Sequence, residues 1–266
     1  MRVPLMAMGA PAGEESCIIS FHRLHYGKLG EGEERRVPPS AGYAVTRRSR
    51  GLGREWDPYL SPLRLMGLRR FEPDAIDIDA RTTGCLVARS VGDSIVLMRA
   101  RFRPEDGERG FGRLHQQAAI WVGALEFFQR HPAASLSVAA QELRALPDLA
   151  VESEAARLND PPLSWRIARL DAEGVRHVVE RSDWAIPMLE LLLEGAETGA
   201  DAVRDFGAHD FASEAEFLAA VGLTLQMLPR AFPRWRDISV VSGLAHPLPG
   251  LCLRYVPSWR HARAAA

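Results

Sequence analysis

The 266-residue chain is almost without lysine: of its 33 basic side chains only Lys28 is a lysine, and the rest are arginine. A phosphate-loop NTPase needs Gly-x4-Gly-Lys-Ser/Thr, and Lys28 is followed by Leu29, so that mode of nucleotide binding is excluded. The same scarcity confines any Schiff-base chemistry to Lys28, which sits in a glycine-flanked stretch that reads as a loop. Cysteine is scarce as well. Cys17, Cys85 and Cys252 are odd in number, far apart and never paired as Cys-x-x-Cys, which excludes a disulfide framework and fits a reducing compartment. No run of 18 apolar residues occurs, so no membrane helix is expected. The opening MRVPLMAMGAPAGEESC breaks its apolar stretch at Pro4, Gly9 and Pro11 and turns acidic at Glu14 and Glu15, unlike a leader. The expectation is a cytoplasmic protein with no cofactor. His-Glu-x-x-His, Gly-x-Ser-x-Gly and the EF-hand loop are missing too, so an enzymatic role lacks its familiar signatures.

What is present is ordinary in total and uneven in distribution. With 47% hydrophobic and 25% charged residues and a formal charge of −1, the chain can bury a large core, and it is neither a polycation nor an acidic tail protein. Residues 22 to 54 hold eight basic against three acidic side chains, whereas residues 145 to 230 hold seven against sixteen. Either the two regions face each other inside the fold, or they form separate charged surfaces for partners.

Alternation without helical spacing predicts strands at CIISFHRLHY (17 to 26) and GYAVTRRS (42 to 49). GCLVARSV (84 to 91) and SIVLMRARF (94 to 102) read as a hairpin turning at Gly92-Asp93. A short helix is expected within 57 to 71. From Leu114 to Arg130, Leu114, Ala118, Trp121, Leu125 and Phe128 repeat at three and four, which predicts a largely buried helix. Another helix follows Pro132. LSWRIARLD and VRHVVERS suggest a hairpin at Glu173-Gly174, and MLELLLEGA a further helix. The stretch 213 to 228 opens on the capping-box spacing Ser213 to Glu216. DISVVSGL and GLCLRYVP return to strands. The fold class is α+β, with a mixed or antiparallel sheet from the N-terminal strands packed on a helical C-terminal half. The chain divides into a strand-rich region 1–147 ending in two buried helices and a helix-rich acidic region 148–266 with closing strands, or forms one continuous domain.

Among chemistry-bearing residues, His22 and His25 have a metal-ligand spacing, but at odd separation on a strand their rings point to opposite sides, so no metal is expected. Asp77 and Asp79 share a strand face, which suits a hard cation or a raised carboxylate pKa, and equally an alternating strand with a wet face. The loop RPEDGERGFGRLHQQ (103 to 117) leads into the expected helix. Arg109, Gly110, Gly112, Arg113 and His115 are therefore candidates for binding an anion or a partner at a helix N-terminus. Glu105, Asp106 and Glu108 offer both arginines internal partners. Arg47, Arg48, Arg50 and Arg54, with Trp56 and Tyr59 close by, are candidate nucleic-acid or partner contacts.

These residues carry a resemblance. FHRLHYGKLGEG (21 to 32), GYAVTRRSRGL (42 to 52) and PEDGERGFGRLHQQAAIWV (104 to 122) resemble the N-terminal module of GTPase-associated proteins from bacterial conflict and defence systems. The matching positions are Tyr26-Gly27, Ser49-Arg50-Gly51-Leu52, and Asp106, Arg109, Gly110 and His115. The resemblance covers about the first 130 residues and implies an accessory part that works beside a separate NTPase, with no catalytic residues to carry over.

The leading expectation is therefore a non-enzymatic adaptor or regulatory subunit of a bacterial defence assembly, with a protein partner and no membrane. The alternatives are a hydrolase or transferase using Arg109, Arg113 and His115 on an anionic substrate, with Asp77 or Asp79 as acid or base, and a nucleic-acid-binding component using Arg47, Arg48 and Arg50.

Overall fold

A computed structural model of the chain describes residues 16–28, 43–57, 59–69, 84–104, 114–143, 161–168, 179–180 and 182–256. Nine strands are described: β1 (Ser16–Lys28), β2 (Tyr43–Arg48), β3 (Cys85–Val91), β4 (Ser94–Pro104), β5 (Leu114–Ala124), β6 (Leu163–Ala168), β7 (Ala202–Phe206), β8 (Ile238–Ser242) and β9 (Leu251–Tyr255). The helices are α1 (Pro62–Leu65), α2 (Leu125–Arg130), α3 (Pro132–Glu142), α4 (Ala185–Thr198) and α5 (Glu214–Met227). The fold is α+β, and the strands form one mixed sheet in the order β2-β1-β5-β4-β3-β8-β9-β7, with β6 pairing the first half of β1. β3 hydrogen-bonds β8, so strands from both sides of residue 147 enter the same sheet.

The β3–β4 hairpin is antiparallel and turns at Gly92-Asp93, where Gly92 has φ 59° and supplies the left-handed conformation that a two-residue turn requires. The C-terminal strands differ. β8 and β9 are parallel neighbours, as are β9 and β7, so residues 243–250 are a short crossover rather than a hairpin turn. β7, α5 and β8 make a β-α-β unit with β9 inserted between its strands. Leu244 and Leu248 of the crossover are buried against the sheet, which gives this connection an apolar footing.

Both faces of the sheet are covered. On one face Leu86, Ala88, Ile95, Leu97, Ala119 and Trp121 pack under the helices. On the other, Cys85, Val87, Val96, Met98, Ile120 and Val122 meet the segment around α1 and the crossover. Double burial explains why 114 to 130 is not a single helix. Its first eleven residues are strand β5, and only Leu125–Arg130 is helical. Residues 118 to 122 are all buried because both faces are dry, so the period of two that marks a half-exposed strand is erased. What remained was an apolar run whose larger members fell by chance at helical spacing.

The other helices and their ends follow the sequence closely. α5 is capped by Ser213, whose Oγ accepts from Glu216 N–H at 3.2 Å. The return bond of the capping box is displaced by one residue, since Glu216 Oε2 accepts from Ala212 N–H at 2.8 Å. α5 is buried along Phe217 to Leu225 because the sheet lies on one side and α3 on the other. The two helices approach so closely that a Cβ on Gly222 would stand 2.6 Å from Ala133 Cα. The hairpin expected at Glu173-Gly174 lies outside the described residues.

Candidate interaction surfaces at the two ends of the sheet

β2 and β7 begin and end the strand order, and the seven inter-strand steps between them, at about 4.8 Å each, separate the two edges by roughly 34 Å. That is several Debye lengths at physiological salt. Among the described residues, Arg47 to Arg54 of the basic region lie in or just after β2, and the acidic stretch Asp183 to Asp201 leads into and through the helix that packs on β7, whereas β6, also from the acidic region, pairs β1.

At the β2 end the chain turns back across β1. Ser49 N–H donates to Arg23 O, and Arg23 N–H donates to Ser49 Oγ, both at 2.8 Å. Leu52, Leu60, Leu65 and Met66 then dive into the core. Arg48 is buried and donates to the carbonyls of Leu52 and Gly53 and to the Asp57 carboxylate, so it braces this turn from inside. Arg50 and Arg54 are exposed, and Arg47 is half-buried opposite His25 in the β1–β2 register. Trp56 packs on the core, whereas Tyr59 is half-exposed with the Arg64 guanidinium 5.4 Å from its ring centroid, a cation–π contact. Of the four arginines marked in the sequence, one is therefore an internal brace and two are free to meet solvent.

At the β7 end α4 packs on β7 and β9. Pro187 sits in its first turn, where its missing N–H costs nothing, and Gly199 ends it with φ 69° and an N–H donated to Gly195 O. Arg234 then donates to the carbonyls of Gly195 and Ala200 and to the Asp237 carboxylate, closing the helix C-terminus with a cation. The inner face buries Ala185, Met188, Leu191, Leu192 and Gly195. The outer face exposes Ile186 (63%) and Leu193 (53%) together with Glu190, Glu194 and Glu197. From Asp183 to Val203 the sequence carries five acidic residues, Asp183, Glu190, Glu194, Glu197 and Asp201, and no basic one.

Between the ends, charge is spent on structure. Arg99 of β4 is 2% exposed and makes a forked ion pair with Glu214, at 17%, in the first turn of α5, with a further bond to Gly84 O at 3.3 Å. Arg254 of β9 pairs in the same forked way with Asp205 of β7. Burial pushes the Cys85 thiol up from 9.0 to about 12, in spite of the Arg99 guanidinium nearby. Burial also raises the Cys252 thiol, and both cysteines are free and buried.

The remaining sequence candidates are placed as follows. His22 and His25 stand on opposite faces of β1: a Cβ on Gly51 would lie 3.3 Å from His22 Cε1, on the side of Leu24, and His25 is buried. Among the described residues no three His, Cys, Asp or Glu side chains gather as a metal set. Asp77 and Asp79 lie outside the described residues, and so do Arg109, Gly110, Gly112 and Arg113. β4 and β5, on either side of Arg109 to Arg113, pair antiparallel as far as Pro104 opposite Leu114, with His115 opposite Arg103. The helix N-terminus expected after Arg113 is a strand, whose amides enter a ladder instead of converging on an anion. Sequence reasoning missed β7 and the outer stripe of α4. The signal for the stripe was available: Ile186, Glu190, Leu193 and Glu197 repeat at four, three and four, alternately apolar and acidic.

No family model matches the chain, and neither the curated proteins nor the solved structures compared with it gave a match. Among the described residues, no helix is long and apolar enough to cross a membrane.

Proposed function

We propose that the protein is a non-enzymatic adaptor or regulatory subunit of a bacterial defence assembly, joined to a separate NTPase or effector. The observation that carries this reading is the exposed pair Arg50 and Arg54 beyond β2 and the exposed acidic outer face of α4 packed on β7, at the two ends of one strand order roughly 34 Å apart. A protein that connects two others needs two surfaces of different chemistry that do not compete, and this spacing supplies them. The resemblance of residues 21 to 32, 42 to 52 and 104 to 122 to the GTPase-associated module supplies the setting. The hydrolase or transferase alternative rested on a helix N-terminus behind Arg109 and Arg113, and a strand stands there instead.

The test is reconstitution with each NTPase or effector whose gene is found to neighbour that of the protein. The protein is expected to bind that partner and to change its turnover. Arg50→Glu with Arg54→Glu should weaken one contact, and Glu190→Arg with Glu197→Arg the other. Turnover of a phosphorylated or acyl substrate by the protein alone, lost in His115→Ala with the fold intact, would refute the adaptor reading.

A further inference from the structure

Ile186, Glu190, Leu193 and Glu197 lie on one line of α4, all exposed, at spacings of four, three and four. That spacing is the seam of a coiled coil, with the apolar residues at one of its two core positions and glutamates at the other. Ile186 and Leu193 stand about 10 Å apart along the helix, two turns of 1.5 Å rise per residue. Buried faces of α4 already account for its docking to the sheet, so this second stripe is surplus to folding.

Resting on the adaptor reading, we infer that the outer face of α4 is one half of a short heterotypic coiled coil, whose occupant is a partner helix with apolar residues facing Ile186 and Leu193 and arginine or lysine facing Glu190 and Glu197. The charge argues for that occupant and against a second copy of α4. Two copies in parallel would stack glutamate on glutamate, and two antiparallel copies would press carboxylates onto leucine and isoleucine without a cation. A basic partner neutralises the same positions, and Asp183 and Glu194 at the rim add to its attraction and none to its repulsion. A seam this short buries little area, which suits a contact that is made and released.

The probe is a labelled synthetic peptide three heptads long, with leucine and arginine alternating at three and four, titrated with the full chain and read by fluorescence anisotropy. Saturable binding is expected. It should weaken at least about tenfold in Leu193→Asp, a change at an exposed position that leaves melting unaltered. In Glu190→Arg with Glu197→Arg the arginine peptide should be lost and a glutamate-for-arginine peptide should bind instead, which shows register as well as sign. Equal binding to the wild type and to Leu193→Asp would overturn the proposal as mere charge attraction, and no binding at all would also overturn it. Concentration-dependent self-association of the chain, abolished by Leu193→Asp, would overturn it in favour of a homotypic surface. If the peptide fails while the reconstituted assembly still depends on Glu190 and Glu197, the helical occupant is wrong and the adaptor reading stands.

Discussion

Removing Glu214 should damage the fold more than removing its partner Arg99. The Arg99 side chain is 2% exposed, and without Glu214 its one remaining acceptor among the bonds described is Gly84 O at 3.3 Å. An uncompensated buried charge costs about 3–5 kcal/mol, so Glu214→Ala should lose about that much. In Arg99→Ala the carboxylate left behind is 17% exposed and sits in the first turn of α5, where backbone amides favour negative charge, so the loss should be smaller, about 2–3 kcal/mol. For a chain of this size each kcal/mol shifts the melting midpoint by about 2–4 °C, so Glu214→Ala should melt roughly 6–20 °C lower. The double variant should cost clearly less than the sum of the singles, and Arg99→Met with Glu214→Leu should return to within about 1 kcal/mol of the wild type. Urea denaturation of the wild type and the four variants gives the free energies, and thermal melting gives the midpoint shift. Losses below about 1 kcal/mol in both singles, adding within about 0.5 kcal/mol in the double, would refute the assignment of this pair as the tie between sheet and helix.

The buried thiols predict an alkaline limb. Unfolded, a thiol releases its proton from about pH 9, while folded Cys85 holds it until about pH 12, so the folded state binds more protons and stability should fall by about 1.4 kcal/mol per pH unit in that window. Urea midpoints of Cys85→Ala should show a shallower fall, and an unchanged slope would contradict the burial. Arg234→Ala removes the donor from the carbonyls of Gly195, in α4, and Ala200, just beyond it, and should cost about 1–3 kcal/mol, with amide exchange accelerating first near Thr198; Arg234→Lys recovers only part, because one ammonium cannot meet both carbonyls and the Asp237 carboxylate together. Gly222→Val should cost about 1–3 kcal/mol by overpacking, and Ala133→Gly should not rescue it, since the atoms a Cβ would meet are backbone.

The elements legible in the sequence are those whose signals are local. The Gly92-Asp93 hairpin needs a turn residue and two alternating flanks, and the α5 start needs Ser213 and Glu216 three apart; neither depends on what packs around it. β5 depended entirely on its surroundings. Ala118 through Val122 are buried on both sides of a central strand, so the pattern that distinguishes strand from helix was absent, and only the shortness of the apolar run and its β-branched Ile120 and Val122 argued for a strand. β7 escaped for the opposite reason: as an edge strand with Val203 and Arg204 exposed, it shows too little hydrophobicity to register. The arginine cluster at 47 to 54 was legible as a cluster, but the division into Arg48 inside and Arg50 and Arg54 outside follows from how the chain turns over β1, which no local count contains.

The charge asymmetry was visible as arithmetic, yet its meaning waited on strand order. A sheet whose central strands are dry on both faces has its edges as the natural places for charged side chains, and charged edges also discourage the edge-to-edge pairing that would aggregate it. Pairing of the arginines beyond β2 with the acidic face of α4 would join copies head to tail, an arrangement that does not close and runs on as a filament. The side chains at the two ends argue against it. The α4 stripe requires a partner with two apolar residues a heptad apart interleaved with cations, whereas among the described residues near Arg50 and Arg54 the one exposed large apolar side chain is Tyr59, and Leu52 and Leu60 are buried in the core. The basic end matches the acidic end in charge and fails to match it in shape, so each surface is left for a partner other than the chain itself.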